Sequence, residues 1–69
     1  MLLDYYVNQN AQSNGDHEVH VSTCQWLLSV QNKIYLGRFN NCFEAVVEAK
    51  KHFVRADGCY YCCNPCHTS

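Results

Sequence analysis

A chain of 69 residues with five Lys/Arg, six Asp/Glu and a hydrophobic share of 48% reads as one small domain, residues 1–69, with its own core. The composition excludes a disordered polar segment, and no apolar run approaches the roughly 20 residues of a membrane-spanning helix. A net charge of −1 also lacks the basic excess of an electrostatic nucleic-acid binder. A domain this short buries only about 60% of its unfolded surface, so its core alone is marginal. Disulfides, a metal or a partner subunit usually make up the difference, which draws attention to the six cysteines.

Residues 2–8 predict a strand, with Leu3, Tyr5 and Val7 alternating against Asp4, Tyr6 and Asn8. The polar segment 9–16 holds turn formers Ser13, Asn14 and Gly15. Residues 17–22 alternate again, Val19 and Val21 on one face, Glu18 and His20 on the other. These two segments are expected to pair antiparallel. Residues 23–31 fit a short helical turn or an irregular crossing, with Trp26 and Leu27 packing inward, and residues 32–39 predict a third strand. Asn41 with Glu44 three residues on resembles a capping box and opens a helix. Phe43, Val46, Val47 and Ala49–Lys50 keep helical spacing, Phe53 extends the apolar stripe, and Asp57-Gly58 is expected to stop the helix. Tyr35, Phe39 and Phe43 join Trp26 in the expected core. The predicted fold is α+β: a three-stranded, mainly antiparallel sheet packed on one helix, followed by a cysteine-rich, zinc-binding C-terminal tail.

Compartment decides how dense cysteine is read. The opening MLLDYYVNQN has no basic n-region, long apolar h-region or small-residue cleavage site, so it does not read as a secretory signal. A cytoplasmic, reducing setting is therefore expected, where clustered cysteine means metal or redox chemistry before a disulfide framework. The competing reading is a secreted, disulfide-stapled domain, for which six cysteines allow 15 pairings. Zinc prefers four tetrahedral nitrogen and sulfur ligands, often supplied as two short-spaced pairs. His20-x3-Cys24 and Cys59-x2-Cys62 fit that grammar, and Gly58 eases the bend into the second pair. The metal reading carries a geometric consequence. A straight strand from 20 to 24 would hold those side chains about 13 Å apart, so the strand must end near Val21 and fold Cys24 back.

The order His20-x3-Cys24, an aromatic strand, a helix containing Glu44-Ala45, then Gly58 and Cys59-x2-Cys62 resembles the metal-binding domain of the Ada DNA-repair protein. It is closest in kind to short Ada-like modules whose first ligand is His. GDHEVH at 15–20 and CHTS at 66–69 also resemble a group of short bacterial proteins. The Ada-like resemblance covers residues 20–62 and implies that His20, Cys24, Cys59 and Cys62 ligate zinc. Here the segment between helix and cysteines is longer, and thiols at 63 and 66 are extra. Methyl transfer from DNA is not carried over, because the chain lacks the surface for it.

Cys66 rivals His20 for the fourth position, since Cys59, Cys62 and Cys66 with Cys24 would make an all-thiolate site. Cys63, adjacent to Cys62, is expected to point away. Cys42 reads as a buried structural thiol, and His17, His52 and His67 as residues outside the ligand set. Tyr60 and Tyr61 lie inside the ligand loop and are expected to cover the site. Asp16, Glu18 and Glu44 read as surface or capping groups, and Lys50, Lys51 and Arg55 as a solvated face. Four protein ligands close the zinc sphere, whereas a catalytic ion keeps an open position, so the spacing favours a structural ion over an enzyme. The expected partner is another protein or a second copy, with no membrane, no evident small-molecule substrate and no nucleic acid. The alternative is a thiol-based redox sensor or metal-handling protein using Cys63 and Cys66.

Overall fold

Alternation carries through into the first three strands. A computed structural model describes residues 1–67 and places β1 at Leu3–Asn8, β2 at His17–Val21 and β3 at Lys33–Phe39. Thr68 and Ser69 of the terminal CHTS lie outside the described residues. β1 sits between β3 and β2 and runs antiparallel to both. Its register with β2 sets Tyr5 beside Val21 and Val7 beside Val19 on one face, and Tyr6 beside His20 on the other. Tyr5, Val7, Val19 and Val21 are all buried and form the centre of the core with Leu36.

The helix α1, Cys42–Ala49, starts where its cap predicts. Asn41 accepts a hydrogen bond from the Glu44 backbone N–H at 3.0 Å, and the Glu44 carboxylate accepts from Asn40 at 3.1 Å. One donor at the helix start is thereby satisfied, and the acidic side chain suits the positive end of the dipole. The buried stripe is Cys42, Ala45 and Ala49, at i, i+3 and i+7. Those small residues let the helix lie close to the sheet, and this shifts the expected face. Phe43 and Val47, one position further round, are 58% and 63% exposed. Phe43 is therefore not core. Tyr35 and Trp26 also lie outside it, whereas Leu27 is buried as expected. Tyr35 stays at the surface because its hydroxyl donates to Asp4 at 2.7 Å and its ring meets Tyr6.

The sheet has four strands and is mixed, not three-stranded and antiparallel. Residues Ala56–Gly58 form β4, which pairs parallel to β2 and gives the order β3-β1-β2-β4. Three residues, one of them glycine and one aspartate, are too short to show a two-residue period. The helix does not run to Asp57-Gly58 but ends at Ala49, followed by a turn in which Ala49 accepts from His52 and Phe53. The chain then returns along the open edge of β2. Arg55 anchors that return, accepting the His17 N–H through its carbonyl and reaching Asp16 through its guanidinium at 3.1 Å.

Candidate metal centre

Four ligand atoms, from His20, Cys24, Cys59 and Cys62, lie within 4.8 Å of one another. Three local devices bring them there. In the parallel pairing of β2 and β4, Val19 stands beside Gly58 and accepts the Cys59 N–H at 3.0 Å. One step further along each strand, His20 and Cys59 are neighbours. β2 ends at Val21, and the Val21 carbonyl accepts the Cys24 N–H at 2.9 Å. That turn folds Cys24 back as the metal reading requires. The third device is the turn after Cys59, whose carbonyl accepts the Cys63 N–H at 2.9 Å and swings Cys62 over the same point.

The spacings suit a tetrahedral ion. Zinc–sulfur bonds of about 2.3 Å put neighbouring ligands of a tetrahedron about 3.7 Å apart. The sulfurs of Cys24 and Cys59 are 4.0 Å apart, and Cys62 Sγ lies 3.9 Å from His20 Nδ1. Backbone N–H groups also face each sulfur: Trp26 toward Cys24, Tyr61 and Cys62 toward Cys59, and Val21 toward Cys62 at 3.4 Å. Such donors favour the thiolate form that a metal needs. Before an ion binds, burial pushes the Cys59 thiol up to about 12 and, more modestly, raises Cys24. Cys62 is pushed up to about 11, first by donating to Cys63 and then by burial. The neutral thiols therefore stay protonated at neutral pH until a metal displaces their protons.

His20 is 1% exposed, and its Nε2 has no hydrogen-bond partner. The Glu18 carboxylate lies 3.5 Å from it, two residues back on the same strand face. With Nδ1 toward the sulfurs, a carboxylate at that place is positioned to fix the ring's tautomer once Nε2–H closes on it, as outer carboxylates do for metal-bound histidines. Glu18 is thus more than the surface group its sequence suggests, and the alternation that puts it on the face of His20 is the signal for this second role.

Cys66 is not in the cluster. It forms a disulfide with Cys42, their Cα atoms 6.5 Å apart. The short 3-10 turn Asn64–Cys66 carries its side chain away from His20 toward the buried start of α1. Cys42 is thus buried as expected but is not a free thiol. Cys63 is fully buried, and its sulfur lies 3.8 Å from that of Cys62, so it faces inward beside the cluster without joining it. The remaining histidines are engaged elsewhere or exposed. His17 stacks on Phe53 at 3.8 Å, His67 lies 3.1 Å from the Gly58 carbonyl and 3.4 Å from Asp57, and His52 is exposed. Of the three carboxylates, Asp16 meets Arg55, Glu18 lies beside His20 and Glu44 caps the start of α1.

Gly58 is where both fastenings meet. A Cβ built there would lie 2.7 Å from both the Cys63 carbonyl oxygen and Cys66 Cβ. The tail therefore crosses directly over the backbone of β4, a crossing only glycine allows.

Two clefts flank these elements. One, of about 370 Å³, is lined by Glu18, His20, Trp26, Cys59 and Tyr61 among others. The other, of about 290 Å³, runs along Phe43, Val46 and Val47 to Pro65 and Cys66. No helix among the described residues is long and apolar enough to cross a membrane. No protein-family model, curated protein or solved structure matches the chain.

Proposed function

We propose that the chain is a small zinc-binding domain in which the ion is structural and the folded product is a protein-interaction module. The observation that carries this reading is the convergence of one imidazole and three thiols within 4.8 Å, three of the four residues buried. Three sulfurs and one nitrogen at tetrahedral spacing suit a borderline-soft ion with no geometric demand of its own, and zinc is that ion. Four protein ligands leave no position for a reacting water, so the metal's work is folding: it ties β4 and the tail to the end of β2. The Ada-like reading of the motif agrees with this ligand set. The interaction role is supported by the apolar groove beside α1, where Phe43 and Val47 stand exposed next to Val46 and Pro65.

A redox or metal-handling role is favoured by one feature. Cys63 is a buried free thiol whose sulfur lies 3.8 Å from that of a ligand, close enough to compete for oxidation with the metal. Native mass spectrometry against the denatured mass, with elemental analysis, separates the readings. One zinc per chain that resists mild peroxide supports the structural ion. Zinc released reversibly by peroxide, with a Cys62–Cys63 or related new disulfide, supports the redox reading. A chain that folds without any metal overturns both.

A further inference from the structure

The cleft beside the metal centre has a chemical character that the structural ion does not explain. Trp26 is the only tryptophan, and it stands 44% exposed at the mouth of this cleft instead of packing in the core. Its ring meets that of Tyr61 at 5.2 Å with a 34° tilt, and Tyr60 meets Tyr61 edge-on at 5.2 Å. The cleft therefore has an aromatic wall continued by a second aromatic at its lip. Glu18 and His20 also line it, and among the described residues Glu18 supplies the only carboxylate of the lining.

Charge sharpens the picture. Three thiolates and a neutral imidazole around one divalent ion leave a net negative charge at the centre, and Cys59 of that centre lines the cleft. With the Glu18 carboxylate beside it, the cleft is anionic and aromatic, and among the described residues no Lys or Arg lines it. An aromatic face near a carboxylate attracts an organic cation through its ring quadrupole and through ordinary charge pairing. The volume of about 370 Å³ is at the small end of ligand sites, enough for one alkylammonium head and its stem.

We infer that this cleft takes the cationic head of a lysine or methylated lysine side chain from a protein partner, held between the Trp26–Tyr61 wall and the Glu18 carboxylate. The inference deepens the interaction-module reading and rests on the metal being present. The same cleft does not suit a phosphate or a carboxylate ligand: apart from Glu18 and the centre itself, its described lining offers the Asn8 amide, the Ser29 and Tyr61 hydroxyls and the Trp26 indole N–H, with no Lys or Arg among them to balance an anion.

Trp26 makes the test direct, because its emission reports this cleft alone. Zinc-loaded protein, its metal content checked by native mass spectrometry, is titrated with short glycine-flanked peptides carrying lysine, trimethyllysine or acetyllysine, and separately with choline. The expected result is a saturable change in Trp26 emission with the two cationic peptides, tighter for trimethyllysine, and none with acetyllysine. Tyr61→Ala, shown to keep its zinc, should weaken binding about two- to fivefold, the size of one exposed cation–π contact. Metal-loaded protein that ignores the cationic peptides, or that answers acetyllysine equally, overturns the inference while leaving the zinc domain standing. Choline binding tighter than the peptides overturns the partner and leaves a small free cation in its place. Protein that folds but carries no zinc overturns the metal reading, and the anionic cleft with it.

Discussion

The C-terminal segment is fastened to the body twice, and the two fastenings obey different chemistry. At one end Cys59 and Cys62 meet His20 and Cys24 in a four-ligand cluster beyond the end of β2. At the other, Cys66 is joined covalently to Cys42 at the start of α1. With an ion bound, the first fastening would respond to pH and chelators, and the second to reductants. The tail residues are few and Gly58 lets them cross β4 at close range, so a domain with a small core gains two separate cross-links from one short segment. Metal site and disulfide framework are therefore not exclusive alternatives: of six cysteines, three stand in the cluster that could hold an ion, two form one bridge and one is a buried free thiol.

Breaking the metal fastening should have the largest effect. Structural zinc contributes about 10–16 kcal/mol of apparent binding energy in small domains, as much as the whole stability of a typical fold. Cys59→Ser or His20→Ala should therefore lose zinc and its cooperative unfolding transition together, as read by elemental analysis and circular dichroism. Acid should mimic these variants. Binding displaces protons from three thiols, so zinc affinity falls as pH falls, by up to about a thousandfold per unit where all three are released. Zinc titrations across pH should show this steep rise in affinity, levelling off where the thiols of the metal-free, unfolded chain titrate, near their ordinary value of 9.0.

The disulfide should matter less. It closes a loop spanning a sequence separation of 24 residues, worth about 3 kcal/mol in the chain-entropy account. Cys66→Ser should lower the unfolding free energy by about that much in denaturant titrations and still bind one zinc per chain. A variant that loses its zinc as well would mean the two fastenings are one cooperative unit. Gly58→Ala probes that unit from the backbone side, since its Cβ would collide with both the Cys63 carbonyl and Cys66. Overpacking of this kind costs about 1–3 kcal/mol, and here it should weaken zinc binding and make the disulfide easier to reduce at the same time.

The metal half of this comparison was legible in the sequence, and the disulfide half was not. Ligand spacing is a local property, so His20-x3-Cys24 and Cys59-x2-Cys62 could be paired by their short intervals. The need for the chain to bend after Val21 followed from strand geometry alone. The partner of Cys66 is a long-range fact. It depends on α1 turning Cys42 inward with Ala45 and Ala49, and the larger Phe43 and Val47 drew the expected buried face to the wrong side. β4 was missed for a related reason. Ala56-Asp57-Gly58 is buried because of where β2 and the tail lie, not because of any pattern of its own, and Asp57-Gly58 reads locally as a helix stop. The strands β1, β2 and β3 and the cap at Asn41 needed no such information.

The smallest expected effect tests whether the fastenings are as separate from the body as they look. Glu18 lies 3.5 Å from His20 Nε2 and touches the metal centre only through that ring. Removing a group that orients a ligand histidine typically lowers metal affinity 10- to 100-fold, about 1.4–2.7 kcal/mol. Glu18→Gln should do this while leaving the Cys42–Cys66 bridge intact, because it keeps the side chain's size and an acceptor oxygen. Its zinc affinity, measured by competition with a chromophoric chelator, should then fall within that range. An unchanged affinity would show that His20 is held by its burial alone, and the difference between the two fastenings would then rest entirely on their sulfurs.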